Sequence, residues 1–136
     1  METQKPWVFL AALCIFPCFQ LVHAESFPSY RCSEVEGAKI IGEDGTYLGT
    51  LGDSQQSESI FNPYSDHGSS YSQESIWNEY SNYGTEYSQE SPFNEYASDS
   101  PVLLKNGEVV GRLTVRSYGS DNINPRTIGT DCGWTE

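Results

Sequence analysis

The sequence predicts a mainly β domain. Two β-hairpins flank three short Ser/Asn/Tyr-rich repeats with short helical turns, and one disulfide closes the whole. Three observations lead there. Two similarly built segments turn at Asp-Gly and Asn-Gly, a sixteen-residue unit recurs between them, and a cysteine sits near each end of the chain that follows an N-terminal leader. A length of 136 residues gives room for one small domain.

The leader comes first in chain order. Lys5 and the α-amine form a short positive region, Trp7 to Val22 is apolar, and Val22-His23-Ala24 places small or apolar residues where a signal peptidase reads them. The apolar run falls short of the ~20 residues of a spanning helix, and Pro6, Pro17 and Gln20 interrupt it. Residues 1–24 are therefore expected to be a signal peptide and residues 25–136 a single exported domain, periplasmic or secreted. Cys14, Cys18 and His23 would leave with the leader. Cys32 and Cys132 remain, and an even count in an exported chain reads as one disulfide, with free or intermolecular thiols as the alternative. No Asn-x-Ser/Thr sequon occurs, which favours a bacterial envelope.

The first hairpin spans Ile40 to Leu51 and turns at Asp44-Gly45; the second spans Val102 to Val115 and turns at Asn106-Gly107. Both dipeptides suit the two left-handed positions of a type I′ turn. The two segments superpose at one offset, Gly45 on Gly107, Gly49 on Gly111 and Leu51 on Leu113, and the same offset sets Ile123-Asn124-Pro125 against Phe61-Asn62-Pro63. The second hairpin thus begins a degenerate fourth copy.

Between the hairpins lie Gln56 to Tyr71, Ser72 to Tyr87 and Ser88 to Pro101. Each carries Glu-Ser-x-aromatic-Asn-x-Tyr: Glu58, Glu74 and Glu90; Phe61, Trp77 and Phe93; Tyr64, Tyr80 and Tyr96. Tyr71 and Tyr87 end the first two copies. Low hydrophobicity argues for disorder here. Against it, aromatics at fixed places can bury ~150–250 Å² each, while Ser and Asn supply caps and Asx-turns. An ordered arrangement is expected, with Phe61, Trp77 and Phe93 pinned onto the sheet.

The Asp-Gly-x-Tyr-Leu-Gly-x-Leu hairpin (Asp44 to Leu51) followed by Ser-Ile-x-Asn-Pro-Tyr (Ser59 to Tyr64) resembles a group of small bacterial proteins. Those proteins join such hairpins to repeated Ser-x-x-Asn-Pro-Tyr-Gly segments. The resemblance covers about Ile40 to Pro125 and implies a bacterial origin without implying a site. The chain departs from the pattern where Glu79 and Glu95 replace the proline and Ser65, Ser81 and Ala97 replace the glycine.

Seven Lys+Arg against nineteen Asp+Glu give a net charge of −12, which argues against nucleic acid and anionic lipid as partners. No nucleophile elbow, phosphate loop or dinucleotide fingerprint is present, and His67 is expected to be a solvated loop residue. The domain is therefore read as non-enzymatic. Recurring Glu58, Glu74 and Glu90, with Glu43 and Asp44 nearby, make Ca2+ a candidate ligand, with a solvated acidic face as the plainer alternative. Tyr, Ser and Asn are the residues of adaptable recognition surfaces. Phe61, Tyr64, Trp77, Tyr80, Phe93 and Tyr96 are thus either a binding face or packing. The expected role is an inhibitor-like binding module for a basic protein of the cell envelope, the alternatives being a structural repeat protein or a calcium-stabilised envelope domain.

Overall fold

A computed structural model of the protein describes residues 29–135. The expected leader lies outside them. The hairpin sequences put apolar residues on one face, and these make the core. Ile40 in β1 (Lys39–Ile41), Leu48 in β2 (Tyr47–Thr50), Leu103 in β3 (Val102–Lys105) and Leu113 in β4 (Glu108–Leu113) are fully buried. With β5 (Asn122–Ile123) they form a five-stranded sheet in the order β2-β1-β3-β4-β5, antiparallel except for the β4–β5 pair. Two short helices, α1 (Ser29–Val35) and α2 (Ile128–Asp131), lie near the chain ends. The disulfide joins Cys32 of α1 to Cys132 at the end of α2, with the Cα atoms 5.5 Å apart. It closes a loop of 100 residues, which the chain-entropy model values at about 4–5 kcal/mol.

The two hairpins turn differently. Asn106 (φ 54°) and Gly107 (φ 78°) are both left-handed, as a type I′ turn requires. Within the first hairpin's turn only Gly45 is left-handed (φ 85°) and Asp44 is not, so the expected type I′ turn at Asp44-Gly45 is corrected. Gly45 N–H reaches Gly42 O at 2.9 Å and Gly42 N–H reaches Thr46 O at 2.8 Å. This wider loop needs one left-handed residue, not two.

Residues 53–97 contain neither helix nor strand, and the helical turns expected in the repeats are replaced by β-turns laid end to end. Hydrogen bonds between residues three apart link Asp53, Gln56, Ser59, Asn62, Ser65 and Gly68 in series. The same ladder links Ser72, Ser75, Asn78, Ser81 and Gly84, then Thr85, Ser88, Ser91, Asn94 and Ala97. At eleven places the residue opening a turn accepts, through its side-chain oxygen, the N–H two residues on. These Asx- and ST-turns satisfy backbone donors that the turn itself leaves unpaired.

Five three-residue steps leave one residue over in a sixteen-residue copy. The surplus is absorbed where Ser65 O accepts from both Gly68 and Ser69, and Ser81 O from both Gly84 and Thr85. There the chain folds back on itself so closely that a Cβ on Gly68 would lie 1.8 Å from Asn62 O, and one on Gly84 1.9 Å from Asn78 O. Only glycine fits.

The turn ladder spans from one sheet edge to the end of β4. Thr50 of β2 exchanges hydrogen bonds with Glu58 O and Ile60 N–H, a parallel bridge to Ser59. At the far end Val115 N–H donates to Pro92 O at 2.8 Å, and the Arg116 guanidinium reaches the carbonyls of Glu95 and Ala97. The sheet and the turns thus enclose the core together. Each copy sends in the residue before its aromatic: Ile60, Ile76 and Pro92 are fully buried. Burying each isoleucine contributes about 1.5–3 kcal/mol. Ser59, Ser75 and Ser91 are buried beside them. Ser75 Oγ donates to His67 O in the preceding copy at 3.0 Å and accepts Trp77 N–H at 3.1 Å.

Ser75→Ala leaves a buried carbonyl and N–H without that partner and is expected to cost about 1–3 kcal/mol in urea unfolding. The same change at exposed Ser57 should stay within about 0.5 kcal/mol. Equal effects at both positions would refute the role given to the buried hydroxyl.

Candidate functional site

The aromatic that follows each buried residue is directed along the margin of the core. Phe61, Trp77 and Phe93 are half-buried and follow one another as a column of tilted rings, with centroids 6.2 Å apart for Phe61–Trp77 and 5.4 Å for Trp77–Phe93. Trp134 extends the column beyond Phe61 at 6.3 Å. At the opposite end the Arg126 guanidinium lies 5.1 Å over the Phe93 ring. The three rings expected to be pinned onto the sheet are packed against the core cluster that the sheet and turns enclose. They pack against the core from its rim because their backbone neighbours Ile60, Ile76 and Pro92 occupy the interior.

Two residues past each Asn, the tyrosine points to solvent. Tyr64, Tyr80 and Tyr96 are 97%, 87% and 79% exposed, so they do not pack the domain. Tyr71 and Tyr87 form a second exposed pair. The phenols are free of the interior, yet the backbone under them is held firmly, because the Asn62, Asn78 and Asn94 amides grip both Tyr64, Tyr80 and Tyr96 N–H and the carbonyls of Gln56, Ser72 and Ser88. Glu95 beside it raises the Tyr96 phenol above its ordinary pKa.

Between the exposed tyrosines and the column lie open clefts. One, of about 640 Å³, is lined by half-buried Trp77 and Phe93 and by exposed Tyr80, Tyr87, Glu79 and Glu86. Arg126 separates it from a neighbouring cleft of about 540 Å³ bounded by Tyr96, Glu95 and Val115. Arg126 Nη2 sits 3.3 Å from Glu86 Oε1. Trp77 Nε1 donates inward to Ile60 O at 2.5 Å, so the indole donor is not offered to the cleft.

The candidate cation ligands are not brought together. Glu58 Oε2 accepts from Tyr47 Oη at 2.8 Å and faces His67 Nε2 at 3.9 Å, whereas Glu74 and Glu90 are drawn into separate turns by their backbone N–H groups. Among the described residues no group of three or more His, Cys, Asp or Glu side chains is placed to hold a metal ion. Asp44 instead accepts the Tyr83 hydroxyl at 2.5 Å, and that bond, with Thr46 N–H, holds its carboxyl below the usual range. Glu43 is exposed.

His67 corrects a second expectation. It is 8% exposed, not solvated, lying edge-on to Tyr47 at 4.9 Å between ring centroids. Gly49 (φ 107°) makes the room, since a Cβ there would come within 2.7 Å of His67 Cβ.

The chain matches no family model, no curated protein and no solved structure. Among the described residues no helix is long and apolar enough to cross a membrane.

Desolvation and the Glu58 carboxylate push the Tyr47 phenol from its ordinary 10.0 up to about 12. A folded-state pKa above the unfolded one stabilises the fold fully below pH 10 and loses that contribution as pH rises towards 12. Absorbance titration at 295 nm should show one phenol ionising near pH 12 that disappears in Tyr47→Phe. Persistence of that step in the variant would assign it to another tyrosine and refute the Tyr47–Glu58 account.

Proposed function

We propose that the protein is an exported, non-enzymatic binding module that engages a basic protein partner through its rows of tyrosines and the clefts beneath them. One observation carries this reading: five tyrosines stand 79–97% exposed on backbone fixed by side-chain hydrogen bonds. Large aromatic side chains with few rotatable bonds give contact area at low entropic cost, which is why tyrosine dominates evolved recognition surfaces. Exposing them on a solvated surface has no folding benefit, since apolar burial is what stabilises the domain.

The sign of the partner follows from charge. No Lys or Arg occurs between Lys39 and Lys105, whereas Glu74, Glu79, Glu86 and Glu95 stand around the tyrosines. Complementary charge accelerates encounter and selects partners, and it weakens with salt. Export is the setting that allows the Cys32–Cys132 bond to form and persist.

The test is affinity capture of basic envelope proteins by the oxidised protein, repeated with the Tyr64→Ser/Tyr80→Ser/Tyr96→Ser triple variant. The expected partner is stoichiometric and elutes with moderate salt, and its Kd rises at least about tenfold in the variant, since buried interface aromatics commonly contribute more than 1 kcal/mol each. Binding that ignores both salt and the three tyrosines would overturn the reading, as would an empty capture by the folded protein.

A further inference from the structure

We propose that the cleft between Tyr80 and Tyr87 seats a guanidinium group, so that the partner offers an arginine-bearing segment to this face; the inference rests on the binding-module reading above. The protein already displays the chemistry on itself. Arg126 lays its guanidinium 5.1 Å above the Phe93 ring and turns an edge to Glu86, 3.3 Å away. A ring face below and a carboxylate at the side are what a planar, weakly hydrated cation seeks.

One step along the column a second ring and a second carboxylate line the same cleft. Trp77, the best π donor among the aromatic side chains, and Glu79 stand there beside the Phe93, Glu86 and Arg126 group. Arg126 is the one basic residue among the described residues lining this cleft.

Charge decides between ligand classes. The lining carries two carboxylates, Glu79 and Glu86, against one cation, Arg126, and Arg126 pairs with Glu86. An anion would meet a net acidic wall. Rings beside carboxylate oxygens suit a planar cation that is itself all donor, as a guanidinium is. The cleft is open enough, at about 640 Å³, to admit a side chain from an extended segment.

The probe is acetyl-Arg-Arg-Arg-amide, titrated calorimetrically into the full oxidised chain at low salt, with the triglutamine and triglutamate analogues beside it. The arginine peptide should bind, the glutamine peptide much more weakly and the glutamate peptide not at all. Glu79→Gln/Glu86→Gln should weaken binding about tenfold. Trp77→Leu, which keeps an apolar residue at that position, should weaken it as well; the exposed Glu79 and Glu86 variants decide the matter if that protein does not fold. Arg126→Ala should strengthen binding several-fold, by vacating the Phe93–Glu86 seat. Lys39→Ala, at an exposed position in β1, changes net charge equally and should strengthen it less.

Weaker binding by Arg126→Ala would make Arg126 a donor to ligand and overturn the proposal. So would equal gains from Arg126→Ala and Lys39→Ala, or peptide binding indifferent to Glu79, Glu86 and Trp77. A captured partner that needs Tyr64 and Tyr96 yet ignores the Glu79→Gln/Glu86→Gln change would sink the guanidinium seat and leave the binding module standing.

Discussion

Everything in the central part of this protein depends on one requirement: a backbone with neither helix nor sheet must still satisfy its polar groups beside a core. The solution is a side-chain oxygen every third residue. A β-turn uses the carbonyl that opens it and the N–H that closes it, leaving inner donors unpaired. Asp53, Ser59, Asn62, Ser75, Asn78, Ser91 and Asn94 each return an oxygen to the N–H two residues on. Successive turns then share their end residues, and the ladder can run for more than forty residues against a sheet without exposing the interior. Composition that looks like low complexity is in physical terms a hydrogen-bonding formula. Buried Ser59 and Ser75 show this best, because each hydroxyl donates to a carbonyl of the preceding segment.

That arrangement needs firm ends. Turns have little cooperativity of their own, so the ladder is anchored by Thr50 at the β2 edge and by Val115 and Arg116 after β4. The hairpins supply these anchors, and the Cys32–Cys132 bond ties the segments that precede β1 and follow β5. Anchoring also determines what faces out. With Ile60 and Ile76 fixed inside, three-residue steps put Phe61 and Trp77 on the rim and Tyr64 and Tyr80 in solvent. Burial and display are consequences of the same step length.

Much of this was legible in the sequence, and the limits were physical. The β class, the two hairpins and the Cys32–Cys132 pair followed from turn dipeptides and cysteine count. The Asn106-Gly107 turn matched its expected geometry, whereas Asp44-Gly45 did not, because loop width depends on Gly42 and Thr46 pairing across it. The three-residue phase lay in plain view as Ser-x-x-Ser-x-x-Asn, but period-two and period-3.6 templates pass over it. His67 was misread as solvated because its burial is decided by Gly49, eighteen positions earlier. Of the six aromatics named as candidates, Trp77, Tyr80 and Phe93 line the cleft described above, whereas Phe61 lies further along the column. Arg126 and Trp134 were not named, since they reach the column from the segment after the second hairpin, nor was Glu86, which lies outside the repeated Glu-Ser-x-aromatic-Asn-x-Tyr block.

The same geometry bears on why a binding face would be built from turns and not from strands. A sheet surface holds its side chains at fixed spacing but offers flat ground between them. Here each copy sets a rim aromatic and an outer tyrosine three residues apart at different depths, which leaves clefts between them. Carboxylates occupy the positions beside those tyrosines: Glu79 before Tyr80, Glu86 before Tyr87 and Glu95 before Tyr96. Acid and ring therefore recur as a pair in the second and third copies, whereas the first has Pro63 before Tyr64. Against a cationic side chain, the two act in one direction, the ring through its face and the carboxylate through its lone pairs. Arg126 reaches into that pattern from outside the turn ladder and settles on Phe93 and Glu86. Its placement follows from the chemistry of the surface, a ring face and a carboxylate meeting one cation.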